Sequence, residues 1–185
     1  MKLRPDQLEQ NLQSTLAPIY VVSGDEPFQV GEACQAIRQQ CRAQGVSERE
    51  VMHVDRSFDW YDLSASADAM SLFAERKLIE LRLPTGKPGD AGAKALRAYA
   101  ENPSPDNTLL IVTAKLDGAQ QRSKWFKALE GAGVFVQIWP IEAARLPQWI
   151  QLRLKQRGLQ ASSEAVKLLA DRIEGNLLAA DQEME

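Results

Sequence analysis

The chain has 185 residues, 44% of them hydrophobic and 25% charged, with 22 basic and 25 acidic side chains and a net charge of −3. This length supports one substantial domain with a small appendage and burial of roughly 70% of the unfolded surface, and the composition excludes a disordered or fibrous chain. The charge balance excludes a bulk electrostatic nucleic-acid binder, so any such contact needs a local patch. No stretch approaches the roughly 20 apolar residues of a membrane span.

The N-terminal MKLRPDQLEQ has no apolar run behind its basic residues, which reads as a cytoplasmic protein. PDQLEQNLQSTL predicts a helix with Pro5 at its start and leucines at 8, 12 and 16 in one stripe. IYVVSG predicts a buried strand ending at Gly24, and a helix follows from Pro27 to about Ala43, stopped by Gly45. Cys34 and Cys41 lie about two turns apart on one face of that helix, too far to bridge, and read as reduced core thiols. EVMHVD predicts a second strand; with one histidine and no CxxC, His53 reads as a strand residue and no metal site is expected.

FDWYDLSASADA predicts a helix with Trp60 and Leu63 on its inner side. KLIELRL predicts a third strand, with Leu78, Glu80 and Arg82 on one face and Ile79, Leu81 and Leu83 on the other. After the loop TGKPGDAG come a helix at AKALRAYAEN, a strand at NTLLIVTA, a helix at SKWFKALEGAG and a fifth strand at VFVQIW. This alternation predicts an α/β domain with a five-stranded parallel sheet between two helical layers. Near residue 140 the pattern becomes helical only, through LPQWIQLRLKQRG, SSEAVKLLADRIEG and NLLAADQEME. Domains are therefore expected at 1–140 and 141–185, with Ser162 or Ser163 capping the second of these helices and Gly175 with Asn176 ending it. The last helix has no stop signal, and the intact protein is expected to continue.

Two stretches bear on chemistry. YVVSGDEPFQVGEA occupies the strand–glycine–helix position of a phosphate loop. From Gly24, the pattern GxxxxGK[ST] needs glycine, lysine and a hydroxyl residue where Gln29, Val30 and Gly31 stand. The lysine for the outer phosphates and the hydroxyl for magnesium are both missing. Asp25 and Glu26 would repel a triphosphate at the helix start. A helix capped by Asp25, with Pro27 in its first turn, explains the segment without a ligand or cofactor.

The second stretch is AMSLFAERK, where Met70, Leu72 and Phe73 crowd together ahead of Glu75, Arg76 and Lys77. On composition alone this is a helix end packing on the sheet, but an apolar cluster with a charged rim also marks interfaces. No base, nucleophile or metal cluster is apparent, so no catalytic residue is assigned. Trp60, Trp125, Trp139 and Trp149 read as core or domain-junction anchors. Arg145, Arg153, Lys155 and Arg157 read as a solvated basic helix face, with DNA contact the weaker alternative.

The lysine-free YVVSGDEPFQVGEA, AMSLFAERKLIELRL, NTLLIVTAKLD, SKWFKAL and EGNLLAADQE together resemble the delta subunits of bacterial DNA polymerase III, over essentially the whole chain. The resemblance implies an AAA+-like three-layer sandwich followed by a small helical lid, with a collar domain absent from this stretch. Nucleotide-sensing lids place an arginine shortly after the glycine of EGNLLAAD, where this chain has Leu177 and Leu178. The implied function is that of a clamp-loader subunit that binds and opens the sliding clamp (beta subunit) in DNA replication without its own ATP hydrolysis. It would be a non-catalytic accessory of the polymerase holoenzyme in the bacterial cytoplasm, at the nucleoid-associated replisome. Implied partners are the clamp, the gamma/tau and delta prime subunits through the collar, and primer-template DNA.

Clamp-binding peptides resemble QLxLF; here the slots hold Ala69, Met70, Ser71, Leu72 and Phe73, so the clamp-binding residues would be Met70, Ser71, Leu72 and Phe73. Ala69 removes the glutamine amide. Burial of Leu72 and Phe73 supplies about 3 to 6 kcal/mol, whereas micromolar affinity needs about 8 net of association costs. Met70 and a second contact must therefore contribute. The rival reading is a phosphate- or nucleotide-using α/β enzyme with an atypical loop; a third, an architectural spacer, is disfavoured by the Leu72–Phe73 cluster.

Overall fold

The computed structural model describes residues 1–68 and 76–184. The chain forms two compact units, Met1–Ile138 and Trp139–Glu185. In the first, the elements run β1 (Lys2–Leu3), α1 (Pro5–Ser14), β2 (Ile19–Ser23), α2 (Pro27–Ala43), β3 (Val46–His53), α3 (Tyr61–Asp68), β4 (Arg76–Leu83), α4 (Gly89–Glu101), β5 (Asn107–Thr113), α5 (Gly118–Gln121), α6 (Lys124–Ala132) and β6 (Val134–Gln137).

Among the described residues the sheet has six strands in the order β1-β6-β2-β5-β4-β3, one more than the expected five. All pairings are parallel. The extra strand, β1, is two residues long and pairs Lys2 with Phe135 and Leu3 with Val136 at the sheet edge. Two residues carry no periodicity, so only tertiary pairing reveals them.

A parallel sheet must be covered on both faces, which is why its strands read as apolar runs. One face packs Ile19, Val21, Ile79, Leu81, Leu109, Ile111 and Phe135 against Leu63 of α3, Leu96 and Tyr99 of α4, and Trp125, Phe126 and Leu129 of α6. The other packs Tyr20, Val22, Leu78, Leu110 and Val136 against Leu8 and Leu12 of α1 and Cys34, Ile37 and Cys41 of α2. Cys34 and Cys41 are buried free thiols, and burial pushes the Cys34 thiol up to about 11.

Several boundaries differ from the sequence reading for physical reasons. Helix α1 stops at Ser14 because Thr15 turns to extended backbone, leaving Leu16 beyond its end. Strand β3 runs Val46–His53, starting four residues before the predicted EVMHVD: as an edge strand it tolerates the charged Glu48 and Arg49. Helix α4 begins at Gly89, inside the expected loop, because first-turn N–H groups need no intrahelical partner and Asp90 suits the positive end of the dipole.

The second unit holds a 3₁₀ turn at Ala143–Arg145 and helices α7 (Leu146–Gln156), α8 (Ser163–Ile173) and α9 (Leu177–Glu183). Leu146, Ile150, Val166, Ala170, Ile173, Leu177 and Ala180 are buried. The Ser162 hydroxyl accepts from Ala165 N at 3.1 Å and the Asn176 carbonyl from Ala179 N at 3.0 Å, each capping a helix start. Between α8 and α9 the chain passes through two left-handed residues, Glu174 (φ 48°) and Gly175 (φ 86°). Trp60 packs partly buried against the core and Trp125 is buried, whereas Trp139 is half exposed. Among the described residues no helix is long and apolar enough to cross a membrane.

Gly24 leaves β2 against Ile138: a Cβ there would meet the Ile138 Cβ at 2.6 Å and its carbonyl oxygen at 2.8 Å. Backbone cannot yield as a side-chain tip can. Gly24→Ala is expected to destabilise the chain by about 1 to 3 kcal/mol through overpacking, read as a lowered urea midpoint with an unchanged slope.

Candidate functional site

From β2 the chain moves through β3, β4 and β5 on one side, then crosses to β6 on the other, so the carboxyl end of β2 lies where the winding reverses. Open α/β sheets bind ligands at such crevices, and Gly24, Asp25 and Glu26 occupy this one. Their polar groups are spent within the fold. The Glu26 carboxylate accepts from Phe28 N at 3.2 Å and Gln29 N at 2.7 Å, the N–H groups that a helix-start anion would take. Val30 N donates to Glu26 O at 3.1 Å within the helix ladder.

The helix cap is therefore Glu26, not Asp25. Asp25 instead accepts from Lys115 N at 3.0 Å, beyond β5. Glu26 caps because Pro27 takes the first helical position, leaving the next N–H groups within reach of the residue before it. Ser23 completes the tie between strand ends: its hydroxyl donates to Ala114 O at 2.9 Å and accepts from Leu116 N at 3.0 Å.

The sequence-predicted clamp-binding residues Met70, Ser71, Leu72 and Phe73, with Ala69 and Glu75, lie outside the described residues. Both flanks are described. On the α3 side, the Ser66 hydroxyl donates to Glu50 Oε2 at 2.6 Å and Ala67 O accepts from Asn107 Nδ2 at 3.1 Å. On the β4 side, Lys77 Nζ donates to the same Glu50 Oε2 at 3.1 Å and lies 3.5 Å from Glu48 Oε1. Burial pushes the Glu50 carboxyl up, but the Ser66 and Lys77 hydrogen bonds with the Lys77 charge outweigh it and hold it below its usual value. Beside this cluster opens a cleft of about 530 Å³, bordered by Met52, Phe58, Asp62 and Ala65 as well as Glu50, Ser66 and Lys77.

A third feature escaped the sequence reading. Glu80, placed there only on one face of a strand, is fully buried in β4. Arg38 of α2 grips it two-handedly, Nε to Oε2 at 3.0 Å and Nη2 to Oε1 at 2.9 Å. Arg49 of β3 reaches Oε2 at 2.8 Å, and Arg82 donates to Oε1 at 3.1 Å. Burial alone would raise this carboxyl; the bonds from Arg38 and Arg49, the Arg38 charge and the Arg82 bond instead pull it down to about 2. The available signal was Arg38 itself, a cation spaced between Cys34 and Cys41 on the inner face of α2. His53 sits at the exposed end of β3, opposite Arg82.

In the second unit the basic helix is partly neutralised. Arg157 donates from Nη2 to Asp181 Oδ1 at 2.8 Å and from Nη1 to Asp181 O at 3.0 Å, while Arg153 lies 3.8 Å from the same carboxylate and stacks over Trp149 at 4.8 Å. Leu177 is buried and Leu178 half exposed. Among the described residues no three His, Cys, Asp or Glu side chains converge on a metal-sized site.

A parallel sheet in this order, sandwiched by helices and followed by a helical unit, is the AAA+-like architecture, and solved structures share it. A Thermotoga maritima RuvB variant superposes with TM-score 0.57 at 13% identity, over 97% of this chain and 58% of that one. The Bacillus subtilis DNA clamp loader delta protein YqeN superposes with TM-score 0.73 at 22% identity, over 97% of this chain and 56% of that one. The sequence narrows the class further. The family model for the DNA polymerase III delta subunit matches residues 20–138, and the chain belongs to that family. The DNA polymerase III subunit delta of Escherichia coli K12 is 35% identical over all 185 residues, which cover 54% of its length. The chain thus spans about half the length of the relatives it matches.

The Glu80 cluster yields a pH prediction. A carboxyl held below the ordinary glutamate value of 4.5 stabilises the fold above that pH and loses this contribution as pH falls through about 2. For so large a depression the loss is on the order of 3 kcal/mol. Glu80→Gln is expected to cost about 3 to 5 kcal/mol near neutrality by leaving arginines unpaired and to flatten the acid limb of stability between those pH values, read by urea denaturation across pH.

Proposed function

We propose that this chain is the clamp-gripping part of a clamp-loader subunit: it binds the sliding clamp (beta subunit) and opens it for loading onto primed DNA during replication, without ATP hydrolysis of its own. One observation carries the reading: membership of the delta family, whose match over residues 20–138 takes in the Leu72–Phe73 pair. Met70, Ser71, Leu72 and Phe73 are the docking residues, with Leu72 and Phe73 entering an apolar pocket on the clamp. The chain acts as an accessory of the polymerase holoenzyme, in the bacterial cytoplasm at the nucleoid-associated replisome.

The loop after β2 fits a subunit that does not hydrolyse ATP. Glu26 already takes the first free N–H groups of α2, Asp25 adds negative charge, and Val30 stands in the lysine slot. The same facts weigh against a phosphate- or nucleotide-using enzyme. Residues from about 141 onward act as the lid. Contacts with gamma/tau and delta prime run through a collar outside these 185 residues, and primer-template DNA passes through the assembled loader. Ring opening then rests on differential affinity, since a partner shifts a closed ring only by binding its open form more tightly.

The test is binding of this chain to its own sliding clamp by surface plasmon resonance, with and without Leu72→Ala combined with Phe73→Ala. The pair is expected to weaken binding at least about tenfold, roughly 1.4 kcal/mol, with an unchanged circular dichroism spectrum; unchanged affinity rejects the reading. An ATP titration should show no saturable micromolar binding, and its appearance would favour the enzyme.

A further inference from the structure

Helix α3 is short, and of its side chains Leu63 and Ser66 are the buried ones named on its inner side. Eight residues do not hold a helix by themselves in water, so its place depends on what ties it down. Leu63 enters the apolar core. Ala67 packs against the same core, and Asp59 holds the helix start through Tyr61 N. Polar ties to the sheet gather at the C-terminal turn, where Ser66 and Lys77, 7% and 9% exposed, meet on one oxygen of Glu50. Ser66 and Lys77 also lie 3.5 Å from each other. Asn107, 9% exposed, holds Ala67 O and stands opposite Lys77 in the β4–β5 register.

Burying a serine hydroxyl, a lysine ammonium and a carboxamide is costly unless each finds a partner. An apolar pair would pack α3 on the sheet at lower cost. What the polar set does and an apolar pair would not is fix two points of the chain, one on each side of residues 69–75, at hydrogen-bond precision against the same carboxylate.

We propose that Glu50, Ser66, Lys77 and Asn107 are positioning residues for clamp docking: they pin both ends of residues 69–75 to the sheet, so that the segment between them meets its partner from a fixed base. This rests on the function proposed above. A segment whose ends are already ordered loses less freedom on binding, and preorganisation of this kind raises affinity without adding a contact. None of the four needs to touch the clamp.

Ser66→Ala, Asn107→Ala and Lys77→Met in this chain are each expected to weaken clamp binding about three- to tenfold, measured well below each variant's unfolding midpoint. Lys77→Arg, which keeps a cation for Glu50, should recover most of the affinity. A role confined to stability would lower the midpoint and leave the dissociation constant within about twofold of wild type; that result for Ser66→Ala and Asn107→Ala, the mildest changes, overturns the proposal even if Lys77→Met does not fold. The Leu72→Ala, Phe73→Ala chain separates the two readings. If wild type binds and that variant does not, the docking segment stands and the single variants judge the positioning role alone; if wild type does not bind, both fall.

Discussion

The fold of the α/β unit turns on a carboxylate with no exposure to water. Glu80 sits inside β4, between β5 and β3, and its charge is tolerable only because Arg38, Arg49 and Arg82 converge on it. Buried ion pairs are weak sources of net stability, since desolvation consumes most of the attraction. Here the cluster bears on strand register. A one-residue slip of β4 would carry Glu80 to the opposite face, against Ile111 of β5 and Leu63 of α3 and away from Arg38. The same slip would send Ile79 and Leu81 toward the arginines. Register in β4 is thereby fixed, and with it the placement of Lys77 at the start of the strand.

That placement links the core to the loops. Lys77 and Glu80 lie on opposite faces of β4, so Glu80 ties the strand to α2 while Lys77 ties it to α3 through Glu50. At the carboxyl end of the sheet the loop after β2 is closed differently, by Glu26 capping α2 and by Asp25 and Ser23 bridging to the chain beyond β5. A phosphate loop keeps helix-start donors available and brings positive charge to them; this loop spends those donors on its own carboxylate. At this crevice the first helix-start donors are thus taken up by bonds within the fold.

The layered fold was legible because the strong signals were long and apolar: IYVVS, KLIEL and NTLLIVT cannot sit anywhere but inside a doubly covered sheet, and α2 carries proline at its first position. What escaped had little or no local signature. Strand β1 exists only through pairing with β6, and β3 hides its first residues behind the charges an edge strand is free to carry. The sequence reading puts the cap at Asp25, and the position of Pro27 at the first helical residue gives it to Glu26 instead. The Glu80 cluster draws its arginines from α2, β3 and β4, residues far apart in sequence, so periodicity could place each on a face without joining them. At the candidate site Leu72 and Phe73 stand out as a sequence pattern, whereas the polar ties at Ser66 and Lys77 do not, because Glu50 and Lys77 read as ordinary charges.

A division of labour follows for the proposed clamp grip. Two apolar side chains offer about 3 to 6 kcal/mol of burial, and holding the clamp and straining it must both draw on that sum and on whatever neighbouring surface adds. Any freedom the docking segment retained would be subtracted first, at roughly 1 to 2 kcal/mol for each backbone residue that must be ordered on contact. Docking from a loose strap would leave little for opening a ring. Docking from a base anchored to Glu50 would leave more of it, because the ties at Ser66, Ala67 and Lys77 are already made in the folded chain.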